Sequence, residues 1–297
     1  MAYTLGHNQY GKAETRVVRV LKGAGRHELL EYNVSVALAG DLAATHLTGD
    51  NAGVLPTDTM KNTVYAFAAE DAVVTQPETL GLRLARHFTD TVPSVTRARV
   101  QIAQTPWRRA DAYGEPHPHA FVRDGGHLRT ATVTCAEGRD WVVSGVRELI
   151  LLKSTESEFS GFMTDPYTTL APTSDRVMST AVTAQWWHTH DEPDWAGSFA
   201  GATAALVETF AAHHSLALQQ TLYAMGSALL DRSPGVAEVR LSLPNRHHFV
   251  VDLSPFGLAN DNEVFHADDR PYGLIEGTVR RDGAPDPELA FDPGQGW

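Results

Sequence analysis

The same order of periodicities runs twice along this chain, and that repetition limits the folds open to it more than any single motif does. Thr15 to Leu21 and Glu28 to Leu38 alternate and are rich in β-branched residues. They predict two strands joined by the glycine-containing turn Lys22-Gly23-Ala24-Gly25-Arg26. A helix is predicted from about Thr57, with Met60, Val64 and Phe67 at helical spacing, and a second over Pro77 to Asp90, with Leu80, Leu84 and Phe88 on one face. Ser94 to Gln104, Ala120 to Arg123 and Arg129 to Cys135 return to strand character. In the second half, Trp141 to Lys153 and Val177 to Trp187 read as strands. Phe199, Thr203, Leu206 and Phe210 mark a helix, and Leu218, Leu222, Met225 and Leu229 another, capped by Ser215. Val236 to Leu243 and His248 to Leu253 close as two strands around Pro244-Asn245-Arg246-His247.

The expected fold class is therefore α+β, with two tandem domains over residues 1–137 and 138–281. Each is a four-stranded antiparallel sheet with two helices on one face. The other sheet face must be buried against something, and closing sheets edge to edge between subunits would do this. Residues 282–297, rich in Pro, Gly and Asp, are expected to lack structure.

Charge excludes several partners. Lys and Arg number 24 against 36 Asp and Glu, a formal charge of −12, so nucleic acid and anionic membranes are poor partners. No apolar run follows basic residues at the start, no span of membrane length occurs, and the chain does not end in Ser-Lys-Leu. A single cysteine, Cys135, fits a reducing compartment, and the expectation is a soluble cytoplasmic protein.

The densest polar stretch is Pro56-Thr57-Asp58-Thr59-Met60-Lys61-Asn62-Thr63, at the start of the first predicted helix. Backbone amides and the positive end of the helix dipole there favour an anionic or carbonyl-rich ligand. Lys12 follows Tyr10-Gly11 just before the first strand; a lysine held out of water beside a hydroxyl can serve as a base. The long loop between the strands of the second half holds Phe159, Asp165 and Arg176, and loops of that length are more often functional than idle. An arginine and a glutamine such as Gln219 can pinch the edge of a planar heterocycle, and an aromatic ring can fix its plane. The pairs His117/His119, His188/His190, His213/His214 and His247/His248 lack a third ligand at a recognised spacing, so no metal site is assigned. There is neither a Gly-x-Gly-x-x-Gly nor a P-loop motif.

Tyr10-Gly11-Lys12, Thr57 to Thr63, Pro116-His117-Pro118-His119-Ala120-Phe121, Leu152-Lys153-Ser154-Thr155, Asp165-Pro166-Tyr167-Thr168-Thr169-Leu170 and Leu243-Pro244-Asn245-Arg246-His247 resemble, in order, the signature segments of the urate oxidase (uricase) family. The resemblance spans nearly the whole chain apart from the tail. It implies the tunnelling fold, with two β-β-α-α-β-β units per chain, β-barrels formed between subunits, and a homotetramer with active sites at the subunit interfaces. It also implies oxidation of urate by dioxygen to 5-hydroxyisourate and hydrogen peroxide, without a cofactor. Lys12, Thr57 and His247 would form the proton relay. Thr57 and the amide of Asp58 would reach substrate bound mainly by the neighbouring subunit. Phe159 would stack on urate, Arg176 and Gln219 would grip its edge, the backbone of Leu218 would add a contact, and Asn245 would hold oxygen or water. Position 218 is leucine where the family often has valine, which bears on pocket shape alone. The rival readings are a zinc-dependent tunnelling-fold enzyme acting on pterins or purines, and a purine-binding oligomer without turnover.

Overall fold

Helical spacing in the sequence becomes burial in the structure wherever the apolar face is continuous. The computed structural model describes residues 3–70, 76–190 and 194–291. They divide into two compact units, one drawn from Met1–Gly145, Trp187–Ala196 and Pro285–Trp297, the other from Val146–Trp186 and Gly197–Ala284.

In the first unit, β1 (Tyr10–Lys22) and β2 (His27–Gly40) form the predicted antiparallel hairpin, and a short α1 (Ala43–Thr48) follows in a connection where no element was expected. α2 (Thr57–Glu70) and α3 (Pro77–Thr91) come next, Pro77 standing in the first turn of α3, where its missing N–H costs nothing. Met60, Val64, Leu80, Leu84 and Phe88 are fully buried against Val34, Val36, Val100 and Ile102. Each such side chain contributes about 1.5–3 kcal/mol by leaving water. β3 (Val95–Thr105) pairs with β2. A separate hairpin of β4 (Trp107–Ala112) and β5 (Glu115–Arg123) is inserted before β6 (Leu128–Ala136), which returns to pair with β3. Ala120 to Arg123 thus belong to this side hairpin.

A buried ion pair ties the start of α3 to the sheet. Arg129 on β6 donates to Glu78 at 2.7 Å, and the Ser144 hydroxyl donates to the other Glu78 oxygen at 2.7 Å. Burial pushes the Glu78 carboxyl up, against the pull of Arg129 and Ser144. His188 lies 3.1 Å from the Ser144 hydroxyl and edge-on to Trp195, and burial pushes its pKa down to about 4. It is a neutral core histidine. Cys135 is also buried, its thiol donating to Asp140 at 2.7 Å.

β7 (Arg139–Lys153) and β8 (Met178–His188) contribute residues to both units. In the second unit they are followed by α4 (Trp195–Ala212), α5 (Leu218–Arg232) and β9 (Val236–Val250). The strand-strand-helix-helix order recurs as expected, but the closing strands differ. β9 runs unbroken through Pro244-Asn245-Arg246-His247, with no turn there. The fourth strand is β11 (Leu274–Arg280), antiparallel to β9 from Leu274↔Pro244 to Arg280↔Glu238, while β10 (Phe265–Asp268) extends the far end of β9. Turn-type residues are overridden because a distant strand supplies the pairing: the Asn245 amide donates to the Gly273 carbonyl at 2.8 Å. The repeat is visible in packing detail. A Cβ on Gly81 of α3 would sit 2.7 Å from Val133 of β6, and one on Gly226 of α5 would sit 2.6 Å from Val279 of β11. In each unit the second helix needs a glycine to lie close on the fourth strand.

The sheet faces away from the helices carry apolar side chains. Val18 and Val20 on β1 are exposed while Val17 is core; Ile150 and Leu152 on β7 are exposed while Leu149 and Leu151 pack inward. In the segment expected to lack structure, Glu288 pairs with Arg139 at 2.7 Å and Ala290 is buried; residues 292–297 lie outside the described residues. No helix among the described residues is long and apolar enough to cross a membrane.

Candidate functional site

In the first unit, three of the expected residues gather where β1 meets the start of α2. Thr57 is the first residue of α2, and the Pro56 carbonyl accepts from the amides of Thr59 at 2.9 Å and Met60 at 3.3 Å. Pro56 thus stands at the capping position, and the leading amides, at Thr57 and Asp58, point out of the helix end. Thr57 is half-buried and Asp58 exposed. The Asp58 carboxylate is held below the usual carboxylate range by a hydrogen bond from Lys61, then by Asn62 and by the positive charge of Lys12. Lys12 itself is half-buried on β1, near enough for its charge to act on that carboxylate.

Lys12 pairs with Val36 across the sheet, and the register shifts immediately after it, between Lys12 and Thr15. Gly11 fixes the strand on its other side: a Cβ there would lie 1.9 Å from the Val36 carbonyl oxygen and 2.9 Å from the Ala37 Cα. Backbone cannot yield as a flexible side chain can. Gly11→Ala is expected to destabilise the protein by roughly 3 kcal/mol or more. Gly6→Ala, with nothing near its Cβ, should stay within about 0.5 kcal/mol of the parent. Denaturant unfolding of both variants checks this, and equal stabilities would remove the close approach.

In the second unit the long loop after β7 is stitched into a defined shape. Phe159 and Thr173 exchange backbone hydrogen bonds at 2.9 and 3.0 Å, and Thr155 and Thr173 hold Asp175 by side chain and backbone. The loop is tied to the start of α5: the Glu158 amide donates to the Ser215 carbonyl at 2.8 Å and the Ser215 amide to the Glu156 carbonyl at 3.0 Å. Ser215 therefore does not cap α5 as expected. The capping position is Ala217, and the buried Ser215 hydroxyl instead accepts from Thr221 at 2.8 Å. Lys153, at the end of β7, donates to the His213 carbonyl and holds the turn between α4 and α5.

These ties bring Phe159 and Arg176 together. The Arg176 guanidinium lies over the Phe159 ring, 5.3 Å from its centroid, and Phe162 stacks on Phe159 at 5.0 Å. Arg176 Nε donates to the buried Ser157 hydroxyl at 3.4 Å. Burial pushes the Arg176 pKa down, and no carboxylate pairs with it among the described residues. At the start of α5, Leu218 is buried in the core with its amide at the helix end, and Gln219 is exposed. On β9, Asn245 and His247 share one strand face, their Nδ2 and Nδ1 atoms 3.5 Å apart, and the His247 ring stacks on Phe249 at 5.6 Å.

A planar anion suits what each unit presents: in one, a guanidinium above an aromatic ring with no carboxylate partner among the described residues; in the other, helix-end amides within the field of a lysine. No cluster of three or more His, Cys, Asp or Glu able to hold a metal occurs among the described residues. Sequence reasoning missed Tyr10, Ser157 and Phe162 as supports. The available signal for Tyr10 was its position two residues before Lys12, which puts both side chains on one face of a strand.

The Uricase family profile matches residues 8–134 and 142–276. Uricase of Arthrobacter globiformis is 49% identical over 280 residues, covering 94% of this chain and 91% of that protein. Uricase of Aspergillus flavus is 37% identical over 289 residues, 92% of this chain and 95% of that one. The crystal structure of the Arthrobacter globiformis uricase superposes with a TM-score of 0.91 at 47% identity, covering 96% of this chain and 98% of the other. A uricase from Bacillus fastidious, at 23% identity and a TM-score of 0.79, shares the fold.

Proposed function

Because the chain belongs to the uricase family it is a urate oxidase, and we propose that it passes electrons from urate to dioxygen without a cofactor, using Lys12, Thr57 and His247 to move protons. The observation that carries the binding mode is Arg176 over Phe159, with no carboxylate paired to it among the described residues. A urate monoanion answers both groups, its charge meeting the guanidinium and its plane meeting the ring. Gln219 and the Leu218 amide complete the grip on the ring edge, and Asn245 holds dioxygen or water above it.

Lys12, through Thr57, takes a proton from the bound anion and makes it a stronger electron donor. Two electrons and two protons pass to dioxygen, giving hydrogen peroxide. Water then adds to the oxidised ring and yields 5-hydroxyisourate. Asp58 contributes its amide at the α2 terminus, where negative charge on the ring is favoured.

The apolar outer faces around Val18, Val20, Ile150 and Leu152 support assembly, since such surface is covered in stable proteins. In this reading a second copy brings its Thr57 and Asp58 to the urate held by Phe159 and Arg176, two sheets close into a barrel, and barrels stack as a homotetramer acting in the cytoplasm. Purified protein stripped of metal with a chelator is expected to consume urate in air and to release one hydrogen peroxide per urate lost. Urate loss that requires added zinc would overturn the cofactor-free reading, and no urate loss in a folded, assembled protein would overturn the oxidase itself.

A further inference from the structure

The Tyr10 side chain links the strand carrying Lys12 to the segment leading into Thr57. Its ring packs at the margin of the first core, and its hydroxyl makes two hydrogen bonds to a single residue: it donates to the Leu55 carbonyl at 3.0 Å and accepts from the Leu55 amide at 2.9 Å. Both polar groups of that residue are thereby held, so the backbone at Leu55 has neither freedom to rotate nor a reason to turn toward water. Only Pro56 separates Leu55 from Thr57, and its φ is fixed by its ring. The Pro56 carbonyl, in turn, accepts the first amides of α2. The clamp is passed rigidly to the helix terminus.

At the other end, Tyr10 stands two residues before Lys12 on the same strand face. Gly11 between them leaves no slack, because its backbone lies directly against Val36 and Ala37. Burial pushes the phenol pKa up, so the hydroxyl keeps the proton that it donates.

We propose that Tyr10 is a positioning residue for proton transfer: by clamping Leu55 it sets the spacing between Lys12 on β1 and Thr57 at the start of α2. This rests on the reading of Lys12 and Thr57 as a proton-transfer pair. The hydroxyl touches neither group. It acts through backbone, and its effect falls on the chemical step rather than on urate affinity.

Tyr10→Phe removes one oxygen and keeps the packed ring. The test measures kcat, KM and the pH profile of kcat on the assembled protein for Tyr10→Phe, Lys12→Met and the double variant, with assembled mass and thermal midpoint as folding controls. The expected result for Tyr10→Phe is a kcat lower by about 10- to 100-fold, with KM changed by less than about threefold. The pH profile should shift, which a purely structural loss would not produce. In the Lys12→Met background, Tyr10→Phe should lower kcat by less than about threefold, because the spacing no longer serves a base. An unchanged kcat and pH profile in Tyr10→Phe would overturn the proposal, as would an equal loss in both backgrounds. If Lys12→Met alone keeps near-normal turnover, the base assignment fails and no pair remains to be spaced; that outcome is distinct from an impaired Lys12→Met beside an unimpaired Tyr10→Phe.

Discussion

Lys12→Met is expected to lower kcat for urate by about 10²- to 10⁴-fold, the range that a positioned general base contributes, with a much smaller change in KM. Methionine keeps the unbranched chain that lies along β1 and removes only the ammonium. The fold should survive: Lys12 is half-buried, pairs with Val36 through backbone, and sits next to a shift in register rather than in the core. The α2 terminus should also keep its shape. Asp58 retains the hydrogen bond from Lys61, the largest influence on it, and that from Asn62. The loss therefore reports on proton transfer. Initial rates of urate disappearance, measured across pH with substrate well above KM, provide the check. Turnover within a few-fold of the parent would remove Lys12 from the chemistry and leave Thr57 and His247 to be tested in its place.

How far the sequence discloses this molecule depends on the range of the interaction concerned. Apolar residues three and four apart report on one helix, and Met60, Val64, Leu80, Leu84 and Phe88 are buried as their spacing predicts. The first hairpin is legible for the same reason, since turn and strands are contiguous. β9 is not, because Pro244-Asn245-Arg246-His247 carries turn-type residues while the structure pairs its Pro244 end with β11 and its His247 end with β10, about twenty to thirty residues later in the chain. Local propensity loses to long-range pairing there. Ser215 misleads in a related way. A serine ahead of a helix reads as a cap, but its backbone is committed to Glu156 and Glu158, and its hydroxyl to Thr221.

The candidate site divides along the same line. Lys12, Thr57 and Asp58 lie in stretches whose composition draws notice. Phe159 and Arg176 have no local pattern at all, and the backbone exchange between Phe159 and Thr173 is what brings them together. Residue by residue they are ordinary, and only the length of their loop and the order of six segments elsewhere in the chain draw notice to them. In the sequence Tyr10 is merely the neighbour of Gly11 and Lys12, because its partner Leu55 is 45 residues away and the bond is to backbone, which leaves no trace in side-chain type.

Arg176→Ala is expected to weaken urate binding by about 2–4 kcal/mol, or roughly 30- to 1000-fold, measured as equilibrium binding without oxygen so that chemistry does not intervene. The direction follows from the surroundings of the guanidinium. The guanidinium is half-buried over Phe159, burial works against its charge, and no described carboxylate offsets it. An arriving anion relieves that cost as well as making charge-assisted hydrogen bonds. Removing the arginine should therefore cost far more affinity than stability: Ser157 loses one long hydrogen bond of 3.4 Å, while the backbone ties through Phe159, Thr173 and Ser215 stay in place. Arg176→Lys sharpens the argument, because it restores charge without the planar paired donors. If paired recognition matters, lysine recovers only part of the lost affinity; if charge alone matters, it recovers nearly all. Unchanged urate affinity in Arg176→Ala would show that the anion is held elsewhere, and the stack of Arg176 on Phe159 would then be packing alone.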